Sequence, residues 1–278
     1  MFVLRQCLTL GTKSSIRNFS ASTNLINVTV NEDTGVAIME LNRPPVNSLN
    51  YELLEAMHRT LVKLENDRCR GMILTSTSPT MFSAGLDILE MYKPTVDKAR
   101  KFWGMLQNTW IKLYSSPYPT VAAINGHSPA GGCLLALSCE YRVMVPKKMI
   151  GLNETKLGIV APQWFQDCMK NVIGVRQAEK ALIAGTMFSS EQAAQIGLVD
   201  ELATDREDLL KKAHNFLDGQ LGLPPHSREA IKLSFRKETL SRLVSGLEAD
   251  INYSVDFILR PEVQSNLEMF LSRKKQYK

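Results

Sequence analysis

Among the five cysteines of this 278-residue chain (Cys7, Cys69, Cys133, Cys139, Cys168) there is no CxxC pair, and none stands at a metal-ligand spacing from the four histidines. Zinc ribbons and thioredoxin-type redox motifs are thereby excluded. The cysteines read as small apolar side chains of a reducing compartment, and no metal site is expected. No apolar run approaches the ~20 residues that cross a bilayer, so no membrane span is expected. A P-loop and a dinucleotide fingerprint are both missing, which leaves no nucleotide cofactor to predict. No serine and acid are arranged to make His127 part of a triad, and His127 reads as structural.

Acidic residues are missing from the first 31 positions, where Arg5, Lys13 and Arg17 stand among several Ser and Thr. That composition predicts a mitochondrial transit peptide and disordered lead over residues 1–24 and a matrix location, with cleavage between Phe19 and Ser20. Without those three cations the formal charge falls from +5 to +2. So weak a positive balance does not favour a nucleic-acid partner.

What remains is 44% hydrophobic and 22% charged, enough for a sizeable core. Strand-like runs cover Ile26–Val30, Val36–Leu41, Gly71–Ser76, Thr120–Ile124, Tyr141–Val145 and Leu198–Leu202. Turn chemistry at 31–35 pairs the first two as a hairpin. Helical periodicity begins near Asn50, and a second long helix is expected over Val96–Tyr114. Ser189–Gln192 and Thr204–Glu207 read as capping boxes, and Pro224-Pro225 and Pro261 as first-turn prolines. The alternation predicts an α/β fold over 25–200 followed by a helical segment over 201–278. Two late stripes, Leu209/Leu210/Ala213/Phe216/Leu217 and Phe257/Ile258/Val263/Leu267/Phe270/Leu271, read as core packing.

Three short segments carry the chemistry. They are Phe82-Ser83-Ala84-Gly85-Leu86-Asp87-Ile88, Asn125-Gly126-His127-Ser128-Pro129-Ala130-Gly131-Gly132-Cys133-Leu134, and Gly151-Leu152-Asn153-Glu154-Thr155. In the first two, glycine stands where a strand turns sharply into a helix, which frees amide N–H groups to face a ligand. Two amides aimed at one oxygen make an oxyanion hole. Glu154, with Leu152, Leu157, Ile159 and Val160 around it, is the candidate proton carrier, its pKa raised by apolar neighbours. Asn153 is read as an orienting residue or a helix cap, and Asp87 as a cap or turn residue. Glu140 is explained by an ion pair with Arg142. Met105, Trp110, Trp164 and Phe165 fit a pocket wall or ordinary core. Arg273, Lys274, Lys275 and Lys278 form a basic C-terminus.

On these motifs the chain, from about residue 25 to 278, resembles the crotonase or enoyl-CoA hydratase/isomerase superfamily, and within it the delta3,delta2-enoyl-CoA isomerases. The resemblance implies a spiral of ββα turns followed by a C-terminal helical segment, carrying both late stripes, that packs around the active site and between the subunits of a homotrimer. It places the oxyanion amides on Leu86 and Gly131, and the thioester substrate against Ala84, Gly85, Leu86, Asp87, Ile88, Gly131 and Asn153. It implies Glu154 as the catalytic acid–base. Hydratases of this family carry a second acid three positions after the glycine; here that position is Leu134. The implied activity is transfer of a C3 double bond of an unsaturated fatty acyl-CoA to C2, with coenzyme A as part of the substrate and no cofactor. A hydratase and a non-catalytic RNA-binding protein of this fold are the competing readings.

Overall fold

The computed structural model describes residues 16–20 and 25–276. In chain order the elements are β1 (Ile16–Ser20), β2 (Ile26–Asn31), β3 (Val36–Leu41), α1 (Tyr51–Asn66), β4 (Gly71–Ser76), α2 (Ile88–Met91), α3 (Val96–Tyr114) and β5 (Thr120–Ile124). Then come β6 (Ser128–Pro129), α4 (Gly131–Ser138), β7 (Tyr141–Met144), β8 (Met149–Gly151), a 3₁₀ turn (Glu154–Leu157), α5 (Gln163–Ile173) and α6 (Val175–Ala184). The last are β9 (Phe188–Ser189), α7 (Ser190–Gln195), β10 (Glu201–Leu202), α8 (Arg206–Leu221), α9 (Pro225–Ser245), α10 (Leu247–Ile258) and α11 (Pro261–Gln276).

Seven strands form the main sheet in the order β1-β2-β3-β4-β5-β7-β10, and β6, β8 and β9 form a small second sheet. The β2–β3 hairpin is antiparallel, as the turn at 31–35 requires; Asn31 Oδ1 accepts the Asp33 and Thr34 N–H groups. From β3 onward the main sheet is parallel. Successive turns therefore give one strand to the main sheet, a short one to the second sheet, and a helix, which is the ββα spiral. Strand β4 is buried along its whole length, the mark of a central parallel strand covered on both faces.

Two apolar layers sandwich the sheet. On one face α1, α3, α4 and α5 pack with Leu53, Met57, Phe102, Trp110 and Phe165 at the centre. On the other, α8 lays Leu209, Ala213 and Leu217 against Val36, Ile73, Val121 and Val143. The Leu209 stripe is thus core within one chain and is not available to a neighbouring subunit, because this face of the sheet needs a cover of its own. Apolar side chains left exposed lie elsewhere, with Ile231 and Phe235 one turn apart on α9; Phe235 is 84% exposed.

Several local expectations shift. The strand expected at 198–202 is reduced to Glu201–Leu202, since Leu198 and Val199 bond back to Ala193 at the end of α7. The cap of α8 is Asp205, one residue later than expected, while the Ser189–Gln192 capping box forms as read. Within the acid-free lead, Ile16–Ser20 pairs antiparallel with β2, an element the sequence did not suggest. The rest of that lead, and the basic residues Lys274, Lys275 and Lys278, lie outside the described backbone or side chains.

Candidate active site

The site lies at the carboxyl edge of the parallel strands, where α/β sheets place their ligands. Strand β4 ends at Ser76 and leads into the Phe82–Ile88 loop. Strand β5 ends at Ile124 and leads through β6 into α4. The two loops are stitched together. Asn125 Nδ2 donates to the Ser76 and Ser78 carbonyls, Phe82 N–H donates to the His127 carbonyl, and Asn47 Nδ2 donates to the Phe82 carbonyl. His127 is structural: its Nδ1 accepts the Met149 N–H at 3.1 Å.

Glycine is required where the loops meet. Gly85 has φ +84°, and a Cβ there would stand 2.8 Å from the Gly131 nitrogen. A Cβ on Gly131 would stand 3.2 Å from the Leu86 nitrogen. The Leu86 and Gly131 N–H groups therefore border one small space. Among the described residues neither is spent on a hydrogen bond, although their neighbours are: Leu49 N–H bonds Gly85 O, Asp87 N–H bonds Leu49 O, and Ala130 N–H bonds Gly151 O. Ala130, with φ +49° and ψ −123°, is strained in a way alanine rarely tolerates. Its conformation turns the chain from β6 into α4 and leaves the first amide of that helix without a backbone acceptor, where the helix end favours negative charge.

A cavity of about 540 Å³ opens beside these amides. Ala84, Leu86, Asp87, Ile88, Asn153 and Glu154 line it, whereas Gly85 and Gly131, also expected against the substrate, are not among its lining residues. Leu134, on the first turn of α4, is fully buried and does not border the cavity.

Glu154 opens the 3₁₀ turn that Gly158 closes in the left-handed conformation, φ +69°. Its side chain is 7% exposed, and both carboxylate oxygens are buried without a hydrogen-bond partner. Burial pushes its pKa up to about 7, with a small opposing contribution from its own backbone N–H. A helix-start glutamate satisfied by a surface cation is thus excluded. Asn153 makes no capping bond, and its Oδ1 is likewise buried and unpartnered beside the same cavity. Asp87 is a structural carboxylate: Oδ1 accepts the Leu89 N–H at the start of α2, and Oδ2 pairs with Arg43 at 3.0 Å. Cys133 is fully buried, and burial followed by the Glu154 charge pushes its thiol well above the ordinary range, which suits packing and not redox chemistry.

Sequence reasoning missed some walls and misassigned others. The Arg43-Pro44-Pro45 segment lines the mouth, with no sequence signal beyond the proline pair. The far wall comes from α10 and α11 through Tyr253, Phe257, Ile258, Phe270 and Leu271, so this part of the second late stripe surrounds the site. Of the four large side chains weighed as lining, only Phe165 borders the cavity. Trp110 packs against Tyr114 and Trp164 in the core. The expected Glu140–Arg142 pair does not form: Arg142 takes Asp200 at 2.7 Å, and Glu140 faces Arg228 and Lys232.

α11 clips both sides of the cavity. Gln264 Nε2 donates to the Met91 carbonyl, and its Oε1 accepts the Lys93 N–H at 2.7 Å. Tyr92 OH donates to Glu268. On the other side Asn266 packs so closely on Gly158 that a Cβ there would overlap its amide. Among the described residues no helix is long and apolar enough to cross a membrane.

Residues 31–278 match the family described as Enoyl-CoA hydratase/isomerase. The chain is 49% identical over 247 residues to the mouse protein "Enoyl-CoA delta isomerase 1, mitochondrial", covering 88% of this chain and 85% of that one. It is 44% identical to the human protein of the same name, covering 88% and 82%. Among solved structures, human mitochondrial delta3-delta2-enoyl-CoA isomerase superposes with a TM-score of 0.89 at 43% identity, covering 91% of this chain and 99% of that one. An enoyl-CoA hydratase from Bacillus halodurans shares the fold, with a TM-score of 0.78 at 23% identity. Fold, loop geometry and sequence agree, and the chain belongs to the enoyl-CoA hydratase/isomerase family.

Proposed function

We propose that this chain is a mitochondrial enoyl-CoA isomerase that moves a cis or trans C3 double bond of an unsaturated fatty acyl-CoA to C2, giving the 2-trans product of fatty acid β-oxidation. The observation that carries the reading is Glu154: one buried carboxylate without partners, in an apolar cavity beside two unspent amides. Ionised, it takes a proton from C2. The electron pair moves into the thioester carbonyl, and the Leu86 and Gly131 N–H groups stabilise the resulting dienolate oxygen. The same carboxyl returns the proton to C4, and the double bond settles between C2 and C3. Nothing is consumed, because the carboxylate is regenerated when the proton is returned. A carboxyl with a pKa of about 7 is half ionised near neutrality, which matches it to both the taking and the returning step. The apolar walls from α5, α10 and α11 suit an acyl chain.

A hydratase would need a second acid to activate water. Leu134 occupies the position where one is expected, and Asp87 is engaged by Arg43 and α2. The test is turnover by the purified protein lacking its lead. Conversion of 3-enoyl-CoA to 2-enoyl-CoA, with little hydration of 2-enoyl-CoA, supports the isomerase; fast hydration with no isomerisation refutes it. Matrix import with removal of the acid-free lead, and a homotrimer, complete the proposal. The exposed Ile231 and Phe235 face of α9 is the surface best suited to subunit contact.

A further inference from the structure

Arg43 stands at the mouth of the reaction cavity, and its guanidinium is engaged by the loop that carries Leu86. A single nitrogen, Nη1, pairs with Asp87 Oδ2 at 3.0 Å and donates to the Ser48 carbonyl at 3.1 Å. The Asp87 side chain is only 13% exposed, so this pair is not one held loosely in bulk solvent. The backbone of Arg43 is fixed as well. Its N–H donates to Asn47 Oδ1 at 2.7 Å, and its carbonyl accepts the Asn47 N–H. Asn47 Nδ2 in turn donates to Ser76 Oγ and to the Phe82 carbonyl, at the root of the Leu86 loop.

The two groups that Nη1 joins flank one contact. Ser48 precedes Leu49, Asp87 follows Leu86, and Leu49 and Leu86 form an isolated parallel bridge. In that bridge Leu49 N–H donates to the Gly85 carbonyl, and Asp87 N–H donates to the Leu49 carbonyl. These two bonds bracket Leu86 and leave its own N–H unspent. The direction in which that N–H points therefore depends on a ladder one residue wide. Arg43 ties the two sides of the ladder together, through a backbone carbonyl on one and a carboxylate on the other. Asp87 Oδ1 meanwhile accepts the Leu89 N–H, so the same carboxylate is braced against α2.

We propose that Arg43 is a positioning residue for the reaction: acting through Asp87, it holds the Leu86 N–H on the thioester oxygen. The proposal rests on the isomerase reading and adds a residue that touches neither the reacting carbons nor the proton. Its effect belongs in kcat, because an enolate oxygen gains more from a well-aimed amide than the ground-state carbonyl does. A contact between Arg43 and the coenzyme A portion at the mouth would instead change KM.

Steady-state kinetics on a 3-enoyl-CoA, with acetoacetyl-CoA as a spectroscopic probe, tests this on the purified protein. Arg43→Gln should lower kcat by roughly tenfold or more, short of the 10²–10³ of losing a donor outright, with KM within about threefold. Asp87→Ser keeps a cap for α2 but is too short to reach Arg43, and should give a similar loss from the other end of the tie. The double variant should be no worse than the poorer single one, because both changes break one interaction. Saturating acetoacetyl-CoA should show the near-ultraviolet band of its enolate on the wild type and a weaker band on either folded variant. Four results overturn the proposal: unchanged kcat in a folded single variant, a loss carried by KM alone, losses that multiply in the double variant, or an undiminished enolate band. A wild type without isomerase turnover would sink the underlying reading, whereas turnover intact in both variants sinks this inference alone.

Discussion

Glu154 should make the protein less stable than it need be, by an amount that depends on pH. Its carboxyl titrates at about 7 in the folded chain against 4.5 in the unfolded one, because burial disfavours the charge. A carboxyl with a raised folded pKa is proton-rich in the native state. Stability therefore falls as pH rises from about 4.5 to 7, and the full deficit is present above 7. At 1.36 kcal/mol per pKa unit the deficit is about 3 kcal/mol. Glu154→Gln removes the titration while nearly keeping the shape. Urea denaturation of both proteins at equal concentration should show the variant ahead by about 3 kcal/mol at pH 8, with most of the gap closed by pH 5. The same variant should lose about 10²–10⁴-fold in isomerase turnover. A gap of equal size at both pH values, or a wild type that is the more stable at pH 8, would refute the claim that the carboxylate is held unpartnered in an apolar site. In the active wild type, kcat/KM should rise with pH and level off above about 7, as the base ionises.

Three further outcomes follow from the geometry. Gly85→Ala would push a methyl group to within 2.8 Å of the Gly131 nitrogen, and should cost about 10²–10³ in kcat with the circular dichroism preserved; a loss below tenfold in a folded variant removes these amides from the mechanism. Leu134→Glu should give a clear drop in Tm and no gain of hydration on 2-enoyl-CoA, since Leu134 is 1% exposed and does not border the cavity; unchanged Tm would mean that the side chain is not packed as described. Light scattering of the protein without its lead should give about three times the subunit mass, and Phe235→Glu should lower it; an active wild-type monomer would end the trimer reading.

Strands written as mostly apolar runs with β-branched residues, such as Val36–Leu41 and Thr120–Ile124, were legible because local sequence decides them. The Leu86 and Glu154 segments stood out through three motifs read together and their resemblance to the crotonase superfamily, since a glutamate at a helix start is by itself ordinary. Two-residue strands such as Ser128–Pro129 and Phe188–Ser189 were not legible, since too few residues alternate to give a period. Neither was the division of the late stripes. The Leu209 and Phe257 stripes look alike as text, yet one covers a sheet and the other borders a cavity, and only packing between distant segments separates them. Glu140 shows the same limit: its cations lie far away in sequence, while Arg142, two positions on, is turned toward Asp200.

The clip formed by Gln264, Asn266 and Glu268 also bears on how the enzyme is born. A chain imported into the matrix folds there, and contacts between distant segments form later than local ones. Until α11 docks on Met91 and Lys93, the cavity beside Glu154 has no roof and its greasy interior is open to water and to chaperones. Maturation of activity should thus trail formation of the sheet, and a chain truncated before α11 should carry a folded core that cannot retain an acyl chain.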